Sequence, residues 1–136
     1  MHATSAFVLT GLIAWTLFLL ILMETLRTRS LAAGAIAANE FKPDNSNLSP
    51  FMQRLARAHA NCVESFPIFG GLLIVALITD RTGVTDSLAP WLLAARLLQS
   101  CIHIWSTSVP AAYLRFMAFA VQVVIAVYWT WSLLAP

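Results

Sequence analysis

Arg54, Arg57, Asn61 and Glu64 follow one another at intervals of three, four and three residues. On a helix that turns about 100° per residue, all four point into an arc of roughly 80°. The residues beyond them, Ile68–Ile78, are purely apolar. An oily helix therefore carries one polar stripe at its entrance. Such groups are costly to remove from water unless they are paired or meet a polar ligand. A second stripe lies downstream, where Arg96, Gln99 and His103 are spaced three and four apart and Ser106 continues the face. Two stripes at the same depth should face one another or a neighbouring subunit.

Two readings of these stripes stand side by side. In the first they form an internal network, with Glu64 paired to Arg57 or Arg96. In the second they bind an anion, because Arg54, Arg57 and Arg96 outnumber the single carboxylate Glu64. The planar fork of arginine bonds both oxygens of a carboxylate, which points to an acidic small molecule entering from the cytoplasm. His103 fits either reading, as a bridging side chain or as a ligand contact and proton acceptor.

The elements that must position these residues are membrane helices. Of the 136 residues, 60% are hydrophobic and 10% are charged, and the mean hydropathy is +0.78. Soluble domains carry about 25% charged residues. The composition is that of an integral membrane protein, with backbone groups satisfied inside helices. A net charge of +2 gives no reason to expect nucleic acid. Cys62 and Cys101 read as small apolar residues in a bundle, and nothing supports a disulfide between them. His2, His59 and His103 lack metal-ligand spacing. No positive charge precedes the first apolar run, whereas Arg27 and Arg29 follow it, so a retained helix is expected rather than a cleaved signal peptide.

Four spans are expected within a single domain of residues 1–136, at about 6–26, 50–78, 88–105 and 113–134. The expected fold is an all-α, up-down four-helix bundle. Ser49 followed by Pro50 is a strong helix start. Pro67 should bend the second helix, and reads either as a proline tolerated in a membrane helix or as a kink that opens a cavity beside Glu64. Gly70 and Gly71 should let a neighbour approach. Trp15, Trp91, Trp105, Trp129 and Trp131 suit aromatic belts. Arg27, Arg29 and Lys42 lie in the first connection and Arg115 beside the third, which puts both connections in the cytoplasm and both termini outside.

Arg57-Ala-His-Ala-Asn61-Cys-Val-Glu64, followed by Pro67, resembles the second-helix signature of the membrane-associated proteins in eicosanoid and glutathione metabolism, the MAPEG family. Arg27-Thr-Arg29 and Ala95-Arg96-Leu97 add to the likeness, which covers nearly the whole chain. The resemblance implies a homotrimer with glutathione bound at subunit interfaces near the cytoplasmic helix ends. It implies that Arg57, Asn61 and Glu64 contact the tripeptide, with Arg54 on the same face. Arg96 would hold a glutathione carboxylate or brace Glu64, and Arg27 or Arg29 would line the pocket. Gln99 and His103 would occupy the ligand face of helix 3. The thiol would be ionised by an arginine near the start of helix 4, for which Arg115 is the candidate, with Tyr113 supplying a hydroxyl. The thiolate would then attack a lipophilic electrophile or reduce a peroxide.

The chain departs from the family pattern at Ala60, where the better-known enzymes often carry a second arginine. It departs again at Gln99 and His103, which replace aromatic hydroxyls. Ala60, together with the lack of an unambiguous counterpart to the thiolate-stabilising arginine, for which Arg115 is the candidate, motivates an alternative, a non-enzymatic glutathione binder or scaffold of the same fold. An exporter of cationic drugs is disfavoured, because Glu24 lies at the end of the first span and the pocket is expected to be net positive. The brevity of the chain suits a bacterial inner membrane.

Overall fold

The computed structural model describes residues 3–136, and His2 lies outside them. Four α-helices follow in order, α1 (Ala3–Ala32), α2 (Pro50–Ile78), α3 (Ala89–Trp105) and α4 (Val109–Leu134). There is no strand among the described residues. Three helices, α1, α2 and α4, are long and apolar enough to cross a membrane. The 17 residues of α3 extend about 25 Å.

Local chemistry sets the ends. The Ser49 hydroxyl accepts the Met52 N–H at 3.3 Å with Pro50 in the first turn, and Ser108 accepts the Ala111 N–H at 3.3 Å with Pro110 likewise. Pro110 thus lies in the first turn of α4, which starts at Val109 ahead of the expected 113, and the connection from α3 is three residues, 106–108. At the other face, Asp86 caps α1 from a distance, accepting the Ser5 N–H at 3.0 Å and the Ser5 hydroxyl at 2.6 Å. Arg81 donates to the carbonyls of Leu133 and Ser132 at 2.9 and 2.8 Å, closing the end of α4. Free helix-end groups are satisfied by tertiary partners in both cases.

Two apolar clusters hold the helices in up-down order. Val8, Phe69, Leu73, Leu92, Ile125 and Trp129 join the start of α1 and α3 to the end of α2 and α4. Leu19, Met23, Leu55, Ala58 and Cys62 join the end of α1 to the start of α2. Trp129 is fully buried, so it is a core residue and not part of an interfacial belt. Gly70 also differs from expectation. A Cβ there would meet the ring of Phe66 at 2.7 Å, so the close neighbour is one turn back on the same helix.

The long first connection is organised by Arg27. Its guanidinium donates to Asn45 Oδ1 at 2.9 and 2.7 Å, to the carbonyls of Lys42 and Pro43 at 3.2 Å, and to Glu24 at 2.9 Å. Asn45 is fully buried, sits at φ 55°, and donates to the Met52 carbonyl at 2.8 Å. Its amide therefore ties the end of α1 to the start of α2. Asn45→Ala is expected to cost about 3 kcal/mol, from the lost hydrogen bonds and a left-handed backbone that alanine tolerates poorly. Thermal unfolding in detergent measures this, with Asn45→Gly recovering only the backbone share.

Candidate functional site

The stripe of α2 opens onto a recess of about 640 Å³. Arg54, Arg57, Asn61 and Glu64 all line it, together with Gln53, Ala56 and Ala60 of the same helix. Pro43, Asp44 and Ser46 of the first connection wall one side and Thr107 another. Arg57 and Glu64 are exposed, and among the described residues neither has a hydrogen-bond or ion-pair partner. Arg54 is partly engaged. Its Nε donates to the Ile104 carbonyl at 2.7 Å, satisfying the last turn of α3.

The charge of this recess differs from the expected cationic surplus. Asp44 joins Glu64 on its wall, so two carboxylates stand against the two guanidinium groups of Arg54 and Arg57. The Asp44 carboxylate accepts the backbone N–H of Ser46 at 3.0 Å, and that bond holds its pKa below the usual value. The lining is mixed in sign, which suits a zwitterionic ligand better than a simple anion.

A second cavity, about 530 Å³, continues from the same place between α2 and α4. Its walls are mostly apolar, with Ile68, Phe69, Phe119, Val123 and Val127 among them. Asn61 and Glu64 line both cavities. They mark the junction where a polar recess meets a lipophilic groove.

Behind Asn61 lies the second stripe. Arg96, Gln99 and His103 are all buried. Arg96 donates through Nη1 to Asn61 Oδ1, and its guanidinium carbon sits 5.5 Å from the centre of the Phe69 ring. Gln99 Nε2 donates to the same Asn61 oxygen at 3.2 Å. Gln122 of α4 donates through Nε2 to Gln99 Oε1 at 2.9 Å and to the Ala118 carbonyl at 3.0 Å. Cys62 and Ser100 lie 3.4 Å apart beside this network. The internal network expected from sequence is present, but no carboxylate takes part. Glu64 faces the open side and pairs with neither Arg57 nor Arg96. Arg96 is a buried cation held by the Asn61 amide oxygen and the Phe69 face, with Nη2 enclosed and unpartnered among the described residues.

The remaining expected residues fall elsewhere. Arg27 holds the first connection, as described, and Arg29 is exposed beside it. Arg115 is half-buried with Nη1 enclosed and unpartnered, within electrostatic reach of His103. Tyr113 is 69% exposed. Two residues on a helix differ by about 200°, so Tyr113 and Arg115 point to opposite sides. Within one protomer they do not form a pair. Cys62 and Cys101 are both free thiols. Among the described residues no group of three or more His, Cys, Asp or Glu side chains is placed to hold a metal ion.

Gln122 is the residue that sequence reasoning missed. It is the sole amide side chain of α4, set in the apolar run between Phe116 and Trp129, and it is fully buried. A polar side chain alone in a spanning helix is itself a signal for an interhelical partner. Asn61→Leu removes the shared acceptor of Arg96 and Gln99. Loss of about 2–3 kcal/mol is expected, typical of a buried hydrogen bond to a charged group. The check is the thermal midpoint in detergent, beside a control at the exposed Val124.

Comparison with curated proteins and with solved structures returns no match. The model of the MAPEG family matches residues 5–135, nearly the full length. With that match, its four helices and three membrane-length spans, the chain belongs to the MAPEG family of membrane proteins.

Proposed function

We propose that this protein is a glutathione-dependent membrane enzyme, a transferase or peroxidase acting on a lipophilic electrophile. One observation carries the reading: Asn61 and Glu64 belong at once to the mixed-charge recess and to the apolar groove. A polar thiol and an oily partner would meet there. Glutathione carries two carboxylates and one ammonium at neutral pH. Arg54 and Arg57 offer guanidinium donors to the carboxylates, and Glu64 and Asp44 offer acceptors to the ammonium. The recess volume of about 640 Å³ lies in the usual range of roughly 300–1,000 Å³ for small-molecule sites.

In this reading the residues of the chain divide their work. Arg57 and Glu64, unpaired in the protomer, anchor the two ends of the tripeptide's charge pattern. Arg115, with one guanidinium nitrogen free, favours the ionised thiol. Arg96, Gln99 and His103 act from behind Asn61. Arg27 and Arg29 contribute through the first connection that walls the recess. Tyr113 faces outward, where a neighbouring copy would meet it, in keeping with a homotrimer whose sites lie between protomers. Native mass spectrometry from detergent tests the trimer, and a monomer at all concentrations would refute it. Cytoplasmic first and third connections, with the termini outside in a bacterial inner membrane, would open the recess to the cell's glutathione.

A second reading, a non-catalytic glutathione binder or scaffold, is favoured by Ala60 in the recess wall and by the separation of Tyr113 from Arg115. Thiolate absorbance and conjugation separate the two. The enzyme reading expects a thiolate signal when glutathione is added to purified protein, and turnover with a generic lipophilic electrophile. Arg115→Ala should lower turnover at least about tenfold, as loss of one charged stabilising group does. Ligand-dependent thermal stabilisation with no thiolate signal and no turnover would select the binder instead.

A further inference from the structure

The hydrogen bonds behind Asn61 fix which way its amide faces. Arginine has only donors, so the atom Arg96 meets must be the Asn61 oxygen. Gln99 presents its amide nitrogen to that same oxygen, 3.2 Å away. Gln99 is itself oriented, because its oxygen accepts from Gln122 Nε2. Gln122 is oriented in turn by its donation to the Ala118 carbonyl at 3.0 Å. Donor polarity therefore runs one way, from α4 through α3 to α2. With both inward bonds on its oxygen, Asn61 is left with its NH2 group unbonded among the described residues, at a half-buried position lining the recess and the groove.

We propose that Gln122, Gln99 and Arg96 are positioning residues, which lock the Asn61 amide so that its N–H donors face the junction of recess and groove. There they would meet a negatively charged or electron-rich atom of the bound reactants. The role assigned to that atom rests on the glutathione reading above, whereas the amide orientation does not. The relay lies in a buried layer where a hydrogen bond is stronger than in water and a reversed amide would oppose N–H to N–H. Gln122 lines neither cavity itself, and its side chain reaches Asn61 by way of Gln99.

The orientation is tested without ligand. Asparagine and glutamine side chains are labelled with nitrogen-15 in the full chain in detergent, and their NH2 exchange with water is followed by NMR, with assignment by Asn61→Asp and Gln122→Leu. Fast exchange at Asn61 and slow exchange at Gln99 and Gln122 is expected. Slow exchange at Asn61 would overturn the relay, whatever the protein binds. The consequence is tested by kinetics. Asn61→Asp keeps an inward acceptor for Arg96 and Gln99 but turns an oxygen outward, so kcat should fall about tenfold with the thermal midpoint retained. Gln122→Leu should lower kcat while leaving KM for the electrophile unchanged, and Gln122→Asn should not rescue it, being too short to reach. Wild-type kcat in both Asn61→Asp and Gln122→Leu would contradict the positioning role. Absence of glutathione binding in the wild type would instead remove the functional reading and leave the exchange result to decide the orientation.

Discussion

Arg96 is a permanent cation enclosed in a membrane bundle, 2% exposed, with no carboxylate against it. Everything around it follows from that constraint. A lone buried charge is expensive, and its partners must come from whatever the neighbouring helices carry. Here α2 supplies both partners of Arg96, the Asn61 oxygen and the face of Phe69, while Gln99 of α3 bonds the same Asn61 oxygen and Gln122 of α4 bonds Gln99. Three helices are thereby pinned at one level, between an apolar cluster around Trp129 and another around Leu55. The apolar clusters provide the bulk of the packing, and the amide layer sets its register.

The same layer divides the protein into an inside and an outside. The inward-facing Asn61 of the α2 stripe accepts from Arg96 Nη1, while Nη2 is enclosed without a partner among the described residues. Outward-facing groups, Arg57 and Glu64, are left without partners and line the recess. Asn61 stands at the boundary and belongs to both. A site built this way borrows its rigidity from the core, since the element that positions it also holds the bundle together. The apolar groove toward α4 opens at the same boundary, so the polar and lipophilic surfaces share their edge by construction.

Much of this arrangement is legible in the chain. The spacing of Arg54, Arg57, Asn61 and Glu64 defines one face, and that face does line one recess. The family resemblance on those residues is matched by the family model over residues 5–135. What spacing could not show is which partner each polar group takes. Glu64 and Arg96 have opposite charges and sit on adjacent helices, yet they point apart, because Cys62 and Asn61 occupy the inward side of α2 at that level. Asp44 comes from a connection whose path depends on the buried amide of Asn45, so its place on the recess wall, and the balanced charge that results, has no local signature. The family resemblance puts Arg27 in the pocket, but Asn45 and the carbonyls of a folded loop engage it first. Gln122 was visible as an isolated polar residue in an oily helix, a signal that only gains meaning once a second helix offers the complementary amide.

The central claim is that the α2 stripe binds glutathione in the recess beside the apolar groove. Isothermal calorimetry of the detergent-purified protein with glutathione tests it most directly, comparing wild type with Arg57→Ala and Glu64→Gln. The account predicts saturable binding to the wild type, abolished in the first variant and weakened in the second. No binding to the wild type, or equal binding to all three, would contradict it.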